Sequence, residues 1–338
     1  MRRDIIMFTE LKKIVMPIGV SGDESEVSSV IAAEIAPYVD KVYSDALGNL
    51  IAFKKGKGKK PKKLMFAAHM DEIGFMASYI DEKGFIRVSR LGGINYQAAA
   101  FSEVIFKNGT KGVLVPEARI QLRDYRPENF YVDIGAKSKK DALRRVKIGD
   151  TCRVAPSLYK LAGSRVAGRP IDDRIGCMML VEAAKAAKDF ENDTYFVFTS
   201  QEEVGVRGAK VSAFSIAPDY AVAVDIGGAG DTPACVPMAV NLGDGIAVKI
   251  KDAMVICNPV MIKILQDIAE SLRVPYQFEI LEGGGTDTCV IQQAAGGCIA
   301  GALSVPTRYG HSAVEVIDMN DVAGGVRIMA GLCETKLS

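Results

Sequence analysis

The sequence predicts an α/β protein whose main domain is divided in the chain by a smaller, β-rich insert. Its length of 338 residues favours two domains, since one domain averages about 150 residues. Compact apolar runs such as 64–68 are typical of buried parallel strands, and they alternate with segments of helical spacing. From 72 to 163, short strand-like stretches between glycine turns replace this alternation. We therefore assign 1–71 and 164–338 to the main domain and 72–163 to the insert.

Two helices are predicted at the start of the chain. Apolar residues recur at helical spacing over 4–16 and again over 21–38. Ser21 or Asp23 is the expected N-cap of the second helix, because short polar side chains accept hydrogen bonds from the first free backbone amides.

A hairpin and a lysine-rich segment follow these helices. Two strand-like runs, 41–44 and 49–53, flank a glycine turn and predict a β-hairpin. The next segment, 54–63, carries seven lysines in ten residues. We interpret it as a solvated loop, since it has no aromatic side chain on which a base could stack. Nucleic-acid binding is the alternative interpretation of these lysines.

One charged helical segment, 137–146, is predicted within the insert. From 172 onward the α/β alternation resumes, with helices over 174–188 and 258–271 and strands over 195–199, 220–224 and 300–305. The three strands are apolar throughout, and the simplest architecture places them in one sheet with the run at 64–68.

Composition excludes several classes of protein. The 42 basic and 41 acidic residues give a net charge of +1, too weak a field to make nucleic acid or an anionic membrane the expected partner. Seven cysteines form no Cys-x-x-Cys pair, which argues against a disulfide scaffold or a zinc finger and favours a reducing compartment. The apolar run 5–8 is too short for a signal peptide, and 294–305 is too short to span a bilayer. We expect a cytoplasmic protein.

Groups able to bind metal lie where the apolar runs end. In open α/β sheets the carboxyl ends of the strands meet at one edge and form sites there. The chain has two histidines, and both follow such runs. The groups at these ends are His69, Asp71, Glu202, Glu203, Asp225 and His311, and Asp172 lies where the insert returns to the main domain. One acidic residue after a strand is most often a cap or a surface ion pair. So many carboxylates at one edge would repel each other unless a divalent cation compensated their charge.

Spacing suggests separate roles within this set. His69 and Asp71 lie two apart, so an extended backbone points both side chains the same way and Asp71 can fix the His69 tautomer. Glu202 and Glu203 are adjacent, so their side chains diverge, and one can bind metal while the other faces a water molecule. The same divergence argues against a glycosidase, whose two carboxyl groups face each other.

Six stretches of sequence carry a family resemblance. They are AAHMDEIGFM (67–76), RPIDDRIGC (169–177), TSQEEVGVRGA (199–209), AVDIGGAGDTP (223–233), EGGGTDT (282–288) and VPTRYGHSAVEVID (305–318). In content and order the set resembles the M42 family of metallo-aminopeptidases, which includes glutamyl aminopeptidases and the tetrahedral TET peptidases. The matches span most of the chain, and together they are far more specific than any single motif.

The resemblance implies a fold, cofactors and partners. The main domain would be a mixed-sheet zinc-peptidase domain of the phosphorylase/hydrolase-like type, and the insert a PDZ-like or β-barrel domain for dimerisation and assembly. Each subunit would bind two divalent metal ions, with zinc expected first and cobalt or manganese as alternatives. The substrates would be peptides, and the oligomer would be built from dimers, up to a tetrahedral dodecamer.

The resemblance also implies which residues hold the metals. His69 and Asp225 would hold one ion, and Glu203 and His311 would hold the other. Asp172 would bridge the two.

Further roles follow from the same resemblance. Glu202 would be the general base, and Asp71 would be the carboxylate that supports the ligands from behind. In related co-catalytic peptidases the bridging aspartate precedes a cis peptide bond, which predicts such a bond between Asp172 and Asp173. We interpret Asp173 itself as a structural partner of an arginine or of the backbone.

Alternatives stay open at several points. Thr286 and Asp287 lie either near the substrate or a subunit contact, or within a tight glycine turn. Gly227 and Gly228 are small and would enlarge a neighbouring pocket. Rival functions are another two-metal hydrolase, such as a deacylase, carboxypeptidase or cellulase, and a non-catalytic oligomeric protein that keeps the fold. The preferred N-terminal residue of a substrate does not follow from the sequence.

Overall fold

A computed structural model of the chain describes the backbone of residues 2–338 and the side chains from residue 7 onward. The strands are β1 (Lys41–Ser44), β2 (Leu50–Lys54), β3 (Lys63–His69), β4 (Gly74–Ile80), β5 (Ile86–Leu91), β6 (Glu103–Phe106), β7 (Lys111–Pro116), β8 (Phe130–Asp133), β9 (Thr151–Val154), β10 (Ser157–Lys160), β11 (Arg165–Arg169), β12 (Asp193–Thr199), β13 (Tyr220–Gly228), β14 (Ile246–Lys251), β15 (Tyr276–Ile280), β16 (Ile299–Arg308) and β17 (Glu315–Asp318). The α-helices are α1 (Arg2–Val15), α2 (Ser25–Ile35), α3 (Tyr96–Ala99), α4 (Lys139–Leu143), α5 (Arg174–Ala186), α6 (Arg207–Ile216), α7 (Pro259–Leu272), α8 (Thr288–Ile291) and α9 (Met319–Glu334). Within residues 2–338, none of these helices combines the length and apolar character needed to cross a membrane.

The strands form two separate assemblies. Strands β4 to β9 close into a barrel in the order β4-β5-β8-β7-β6-β9, with every neighbouring pair antiparallel. The other strands form an eleven-stranded sheet in the order β1-β2-β12-β3-β13-β16-β17-β11-β10, and β14 pairs with both β15 and β16. The predicted fold class, a mixed-sheet α/β unit with a small β-rich insert, is confirmed.

Four parallel strands form the centre of the large sheet. They are neighbours in the order β12, β3, β13 and β16. Thr199 at the end of β12 pairs with His69 at the end of β3, and Asp225 in β13 pairs with Ser304 in β16. The segments that follow these strands therefore emerge at one edge of the sheet, as predicted.

Helices cover both faces of this centre. On one face Phe66 and Phe196 stack with their ring centroids 5.5 Å apart, in a core shared with α1, α2, α5, α7 and α9. On the other face Met65 and Ala67 pack against α6 and α8. Successive residues of β3 face opposite cores, so both sets of side chains are apolar. This explains why the run 64–68 is continuously apolar in the sequence.

The start of the second helix differs from the prediction. Helix α2 begins at Ser25, and the side chain of Glu24 at its N-cap position makes no capping hydrogen bond. The predicted caps are used elsewhere. Ser21 donates its hydroxyl hydrogen to Asp71 (2.7 Å), and Asp23 accepts a hydrogen bond from Thr151 of β9 (2.8 Å). Both side chains serve long-range contacts, which a local capping rule does not detect.

The barrel and the sheet meet through buried charge. The barrel has its own core, which includes Phe75, Phe106, Phe130 and Val132. Between it and the sheet, Glu72 accepts hydrogen bonds from Arg153 of β9 (2.9 Å) and Arg174 of α5 (3.1 Å). Strand β10 falls within the range predicted for the insert, yet it pairs with β11 in the large sheet.

The lysine-rich segment is a loop between β2 and β3, as predicted. Its lysines are exposed or half-buried, and Lys57 pairs with Asp189 at the surface (2.7 Å). The backbone at Gly56 and Gly58 runs close against residues 191–192, so these two positions leave no room for a larger side chain.

Candidate metal centre

The predicted site residues converge at the carboxyl edge of the parallel strands. Six of them line one cavity of about 590 Å³, namely His69, Asp172, Glu202, Glu203, Asp225 and His311. The seventh, Asp71, is fully buried behind this cavity. Residues in or after four strands and in the segment before α5 thus meet in one cluster.

Asp172 lies between the two imidazoles. Its Oδ1 is 3.1 Å from Nε2 of His69, and its Oδ2 is 3.3 Å from Nε2 of His311. Each oxygen of one buried carboxylate therefore faces a different histidine. This divides the cluster into an inner half, formed by His69, Asp225 and Glu202, and an outer half, formed by His311 and Glu203.

The inner half is enclosed. The His69 side chain is 3% exposed, and its Nε2 lies 3.8 Å from Asp225 Oδ1 and 4.0 Å from Glu202 Oε2. Its Nδ1 lies 3.1 Å from the backbone oxygen of Asp71. A carbonyl oxygen can only accept, so Nδ1 carries the hydrogen and Nε2 faces the cluster. The carboxylate of Asp71 is farther from Nδ1, at 3.6 Å.

Asp71 instead organises the loop after β12. Its Oδ1 accepts a hydrogen bond from the backbone amide of Glu202 (2.9 Å), and its Oδ2 accepts from Glu203 (3.2 Å) and Ser21 (2.7 Å). These bonds hold the two adjacent glutamates in place while their side chains diverge, with Glu202 near His69 and Glu203 4.0 Å from His311.

The outer half is more open and belongs to a loop. The His311 side chain is 42% exposed, and its backbone φ of +58° lies in the left-handed region. Its Nδ1 is 2.7 Å from the backbone oxygen of Gly93, in the segment between β5 and α3. The same tautomer argument applies, so Nε2 of His311 also faces Asp172.

Glu315 is a buried residue that sequence reasoning missed. Its Oε2 accepts hydrogen bonds from the backbone amides of Ile171 (2.6 Å) and Asp172 (3.1 Å). Its Oε1 accepts a hydrogen bond from the backbone amide of His311 (3.2 Å). One carboxylate thus fixes the backbone of the central aspartate and of the outer histidine. Its position inside the matching stretch 305–318 was the available signal.

Burial and crowding shift the pKa values of the cluster. Burial raises the pKa of Glu203 to about 8 and that of Asp225 to about 7, and the neighbouring Asp172 adds to both shifts. Burial also raises the pKa of Glu202 well above its usual value. For Asp172, burial acts to raise the pKa, but hydrogen bonds with His311 and His69 outweigh it and hold the pKa below its usual range.

Burial acts to lower the pKa of a histidine, which is the opposite of its effect on a carboxyl group. The hydrogen bond with Asp172 raises the pKa of His311 to about 10. Burial acts to lower the pKa of His69, but the Asp172 and Asp71 carboxylates outweigh it and raise that pKa well above its usual value. The cluster therefore retains protons, which shows that its carboxylates attract positive charge.

The donor set fits divalent cations. Ligand atoms of His69, Asp172 and Glu203 lie within 4.8 Å of one another, and so do those of His69, Asp173 and Asp225. Imidazole nitrogen and carboxylate oxygen suit zinc, cobalt and manganese alike. The described side chains thus contain groups that could hold a metal ion.

Asp173 has the structural role predicted for it. The peptide bond between Asp172 and Asp173 is cis, as expected. The Asp173 side chain caps α5 by accepting from the amide of Gly176 (3.0 Å), and it also accepts from the amide of His69 (3.2 Å). Cys177 is buried beneath it, with its thiol 3.2 Å from the His69 oxygen.

The cavity is also lined by small and apolar residues, namely Ile226, Gly227, Gly228, Met254 and Leu281, and by Thr286. Gly227 does not enlarge the cavity as expected, because a Cβ atom there would collide with the carboxylate of buried Glu279. Lys249 also lines the cavity and pairs with Glu279 (2.5 Å).

Two further polar residues have identifiable partners. Asp287 is buried and accepts a hydrogen bond from Thr199 at the end of β12 (2.6 Å), so it lies under the site. Arg308 forms a two-bond ion pair with Asp231 (2.7 and 2.5 Å) and does not line the cavity, so it has a packing role.

The fold and the site together define an α/β protein with a candidate hydrolytic metal centre. The sequence model of the family described as M42 glutamyl aminopeptidase matches residues 48–328. The chain therefore belongs to the M42 family of aminopeptidases, and the resemblance found in its motifs is confirmed.

Individual relatives agree with this assignment. The lysyl aminopeptidase of Pyrococcus furiosus is 34% identical over 96% of this chain and 96% of its own. Aminopeptidase APDkam598 of the archaeon Desulfurococcus kamchatkensis superposes with a TM-score of 0.94 at 33% identity, covering 98% of this chain and 96% of its own. The TET1 peptidase of Pyrococcus horikoshii, which can assemble into a tetrahedron or a large octahedral shell, has a TM-score of 0.87 at 34% identity, covering 97% and 99%.

Proposed function

We propose that the chain is a metal-dependent aminopeptidase that removes N-terminal residues from peptides with Glu202 as general base. The position of Asp172 carries this proposal. Its two oxygens point to two different imidazoles at 3.1 and 3.3 Å, which is the arrangement of a carboxylate shared by two cations.

Each half of the cluster would hold one divalent ion. His69 and Asp225 would bind the inner ion, Glu203 and His311 the outer one, and Asp172 would contact both. Zinc is the first expectation, with cobalt or manganese as alternatives, because these ligands suit all three. Two such ions would polarise the scissile carbonyl and lower the pKa of the attacking water.

Glu202 has the properties of a proton acceptor and donor. Its side chain is 11% exposed and borders the cavity beside the inner half. Burial raises its pKa well above the usual value, so it can take a proton from water and return it to the leaving amine near neutral pH. Asp71 holds the Glu202 amide, so the base stays in place while its partner glutamate binds metal.

The cavity also accounts for a preference for peptide ends. The carboxylates of the cluster would attract the protonated N-terminal amine of a peptide. Apolar residues of the same cavity, such as Met254 and Leu281, would receive the side chain of the first residue. The bond to be cleaved would then lie next to Glu202.

Assembly into a homo-oligomer is part of this proposal. The chain matches almost the full length of the P. horikoshii TET1 peptidase, which assembles into closed shells. We expect a dimer-based oligomer, up to a tetrahedral dodecamer, with the predicted insert of residues 72–163, which contains the barrel, as the assembly domain. We also expect a cytoplasmic location.

Activity on a substrate panel tests the function. Chelated protein should regain hydrolysis of aminoacyl-p-nitroanilides when zinc, cobalt or manganese is added back. N-terminally acetylated anilides should not be cleaved, since they lack the free amine. Cleavage of acetylated substrates, of C-terminal residues or of cellulose would favour the deacylase, carboxypeptidase or cellulase alternatives. Failure of every substrate with every metal would favour a non-catalytic role.

A further inference from the structure

The outer histidine depends on the barrel for its orientation. Gly93 lies in the segment between β5 and α3, and its carbonyl oxygen accepts the Nδ1 hydrogen of His311 at 2.7 Å. In the reverse direction, the backbone amide of Asn95 donates to the carbonyl oxygen of His311 at 3.4 Å. The barrel therefore contacts both the ring and the backbone of a proposed metal ligand.

Two glycines allow this close approach. A Cβ atom at Gly93 would lie 3.1 Å from Nδ1 and 3.4 Å from Cε1 of the His311 ring. A Cβ atom at Gly92 would lie 3.2 Å from Oε2 of Glu203 and 2.5 Å from a methyl group of Ile73. Both proposed ligands of the outer ion thus pack directly against backbone that has no side chain.

The loop that carries His311 needs such support. Tyr309 and His311 both have positive φ values, +64° and +58°, and residues other than glycine keep this conformation only when their surroundings hold it. Glu315 holds the His311 amide from the sheet side. Arg169 donates to the oxygen of Ser312 in this loop and to the oxygen of Ile73 (3.2 Å), just before the barrel begins.

We infer that the barrel segment 92–95, through the carbonyl of Gly93, is a positioning element for His311 and sets the affinity of the outer metal site. The carbonyl keeps the hydrogen on Nδ1, so the Nε2 lone pair points toward Asp172 and Glu203. Hydrogen bonds of this kind to the distal nitrogen of a ligand histidine change metal affinity by about 10- to 100-fold. The inference rests on the proposed function and adds to it that the barrel completes the metal centre within one chain.

A glycine substitution separates this role from general stability. Full-length protein is chelated and titrated calorimetrically with Zn²⁺ as the wild type, as Gly93→Ala and as Gly109→Ala. Gly109 is a turn glycine of the same barrel with a φ of +83°, so alanine strains the barrel backbone there, but its Cβ has no atom within 4 Å. We expect Gly93→Ala to weaken the binding of one of the two zinc ions at least tenfold and to leave the affinity for the other ion unchanged. Gly109→Ala should bind both ions as the wild type does.

The possible results are distinct. Wild-type affinity for both ions in Gly93→Ala overturns the inference and leaves the proposed function intact. A wild-type protein that binds fewer than two zinc ions, or that cleaves no aminoacyl anilide, contradicts the proposed function and the inference with it.

A second measurement does not depend on how the variant folds. The chain has two histidines, so ¹⁵N-histidine spectra of the wild type contain two imidazoles, and His311→Ala assigns them. The zinc-loaded wild type should show His311 with its hydrogen on Nδ1. A hydrogen on Nε2 would overturn the inference directly.

Discussion

The two halves of the candidate metal centre are built in different ways. In the inner half, His69 is the last residue of a central strand, its side chain is 3% exposed, and its ring is oriented by a carbonyl two residues away. In the outer half, His311 lies on a loop, its side chain is 42% exposed, and its ring is oriented by Gly93, which is distant in sequence.

This difference shows which part of the fold positions the proposed ligands of each ion. The inner half follows from the sheet, because His69 pairs with Thr199 of β12 and the residues of β3 before it pair with β13 up to Ala67. The outer half requires the barrel and the sheet to be docked correctly, and the buried contacts of Glu72 with Arg153 and Arg174 maintain that docking. We expect the outer ion to be the weaker of the two.

The largest expected effect distinguishes the two adjacent glutamates. Glu202→Gln removes the proton acceptor and should lower kcat by about 10²- to 10⁴-fold while both metal ions remain bound. Glu203→Gln should remove the outer ion as well as the activity. Steady-state kinetics and elemental analysis of both variants test this. Normal turnover in Glu202→Gln would refute its role as the base.

The two histidines should differ in their effect on stability. In chelated protein, His69→Ala leaves the buried Asp71 carbonyl and the Oδ1 atom of Asp172 without donors, at a cost of about 1–3 kcal/mol for each group. His311→Ala should cost less than about 1 kcal/mol, because water can reach that position. Urea unfolding of the chelated variants measures both. Equal losses would contradict the distinction between an enclosed and an open half.

The same variants should differ in metal content. We expect His311→Ala to lose the outer ion and to keep the inner one, so that elemental analysis finds one ion per subunit. Two ions bound to His311→Ala would rule out its role as a ligand.

The two halves should also differ in the pH dependence of metal binding. The raised pKa values of Glu203 (about 8) and Asp225 (about 7) mean that protons occupy these ligands below those pH values. Zinc must displace them, so affinity should rise with pH, by about tenfold per pH unit for each proton released. The affinity for the outer ion should continue to rise up to a higher pH than the affinity for the inner ion. Calorimetry between pH 6 and about 8.5 checks this, and an affinity independent of pH would contradict it.

The stability of the chelated protein should change in the opposite direction. The raised pKa values mean that the folded chain binds more protons than the unfolded chain between the ordinary pKa values of these groups and the raised ones. Folding stability of the metal-free protein should therefore fall as pH rises through this window. Zinc should restore it. Thermal unfolding with and without zinc, at matched ionic strength, separates the two effects.

Much of the inner half could be predicted from the sequence. His69 and Asp225 occur in or directly after strands that are buried on both faces, and such strands have an unmistakable apolar pattern. Their polar residues therefore stand out at known positions on the sheet edge. The family resemblance then assigned roles that spacing alone had left open.

The supports of the outer half could not be predicted in the same way. Gly93 acts through a backbone carbonyl and Glu315 through backbone amides far from it in sequence, and neither contact leaves a local pattern. The prediction that Ser21 or Asp23 caps a helix was wrong for the same reason. Local capping rules do not account for the distant partners that these side chains bind instead. The adjacent glycines Gly92 and Gly93 are visible in the sequence, but nothing near them shows which residue they approach.

A crystal structure of the zinc-loaded protein, with anomalous data collected at the zinc absorption edge, tests the central claim most directly. We predict two zinc ions per subunit, one in contact with His69 and Asp225 and the other with Glu203 and His311, with Asp172 in contact with both. A single ion, or two ions that do not share Asp172, would contradict a bridged metal centre with an inner and an outer half.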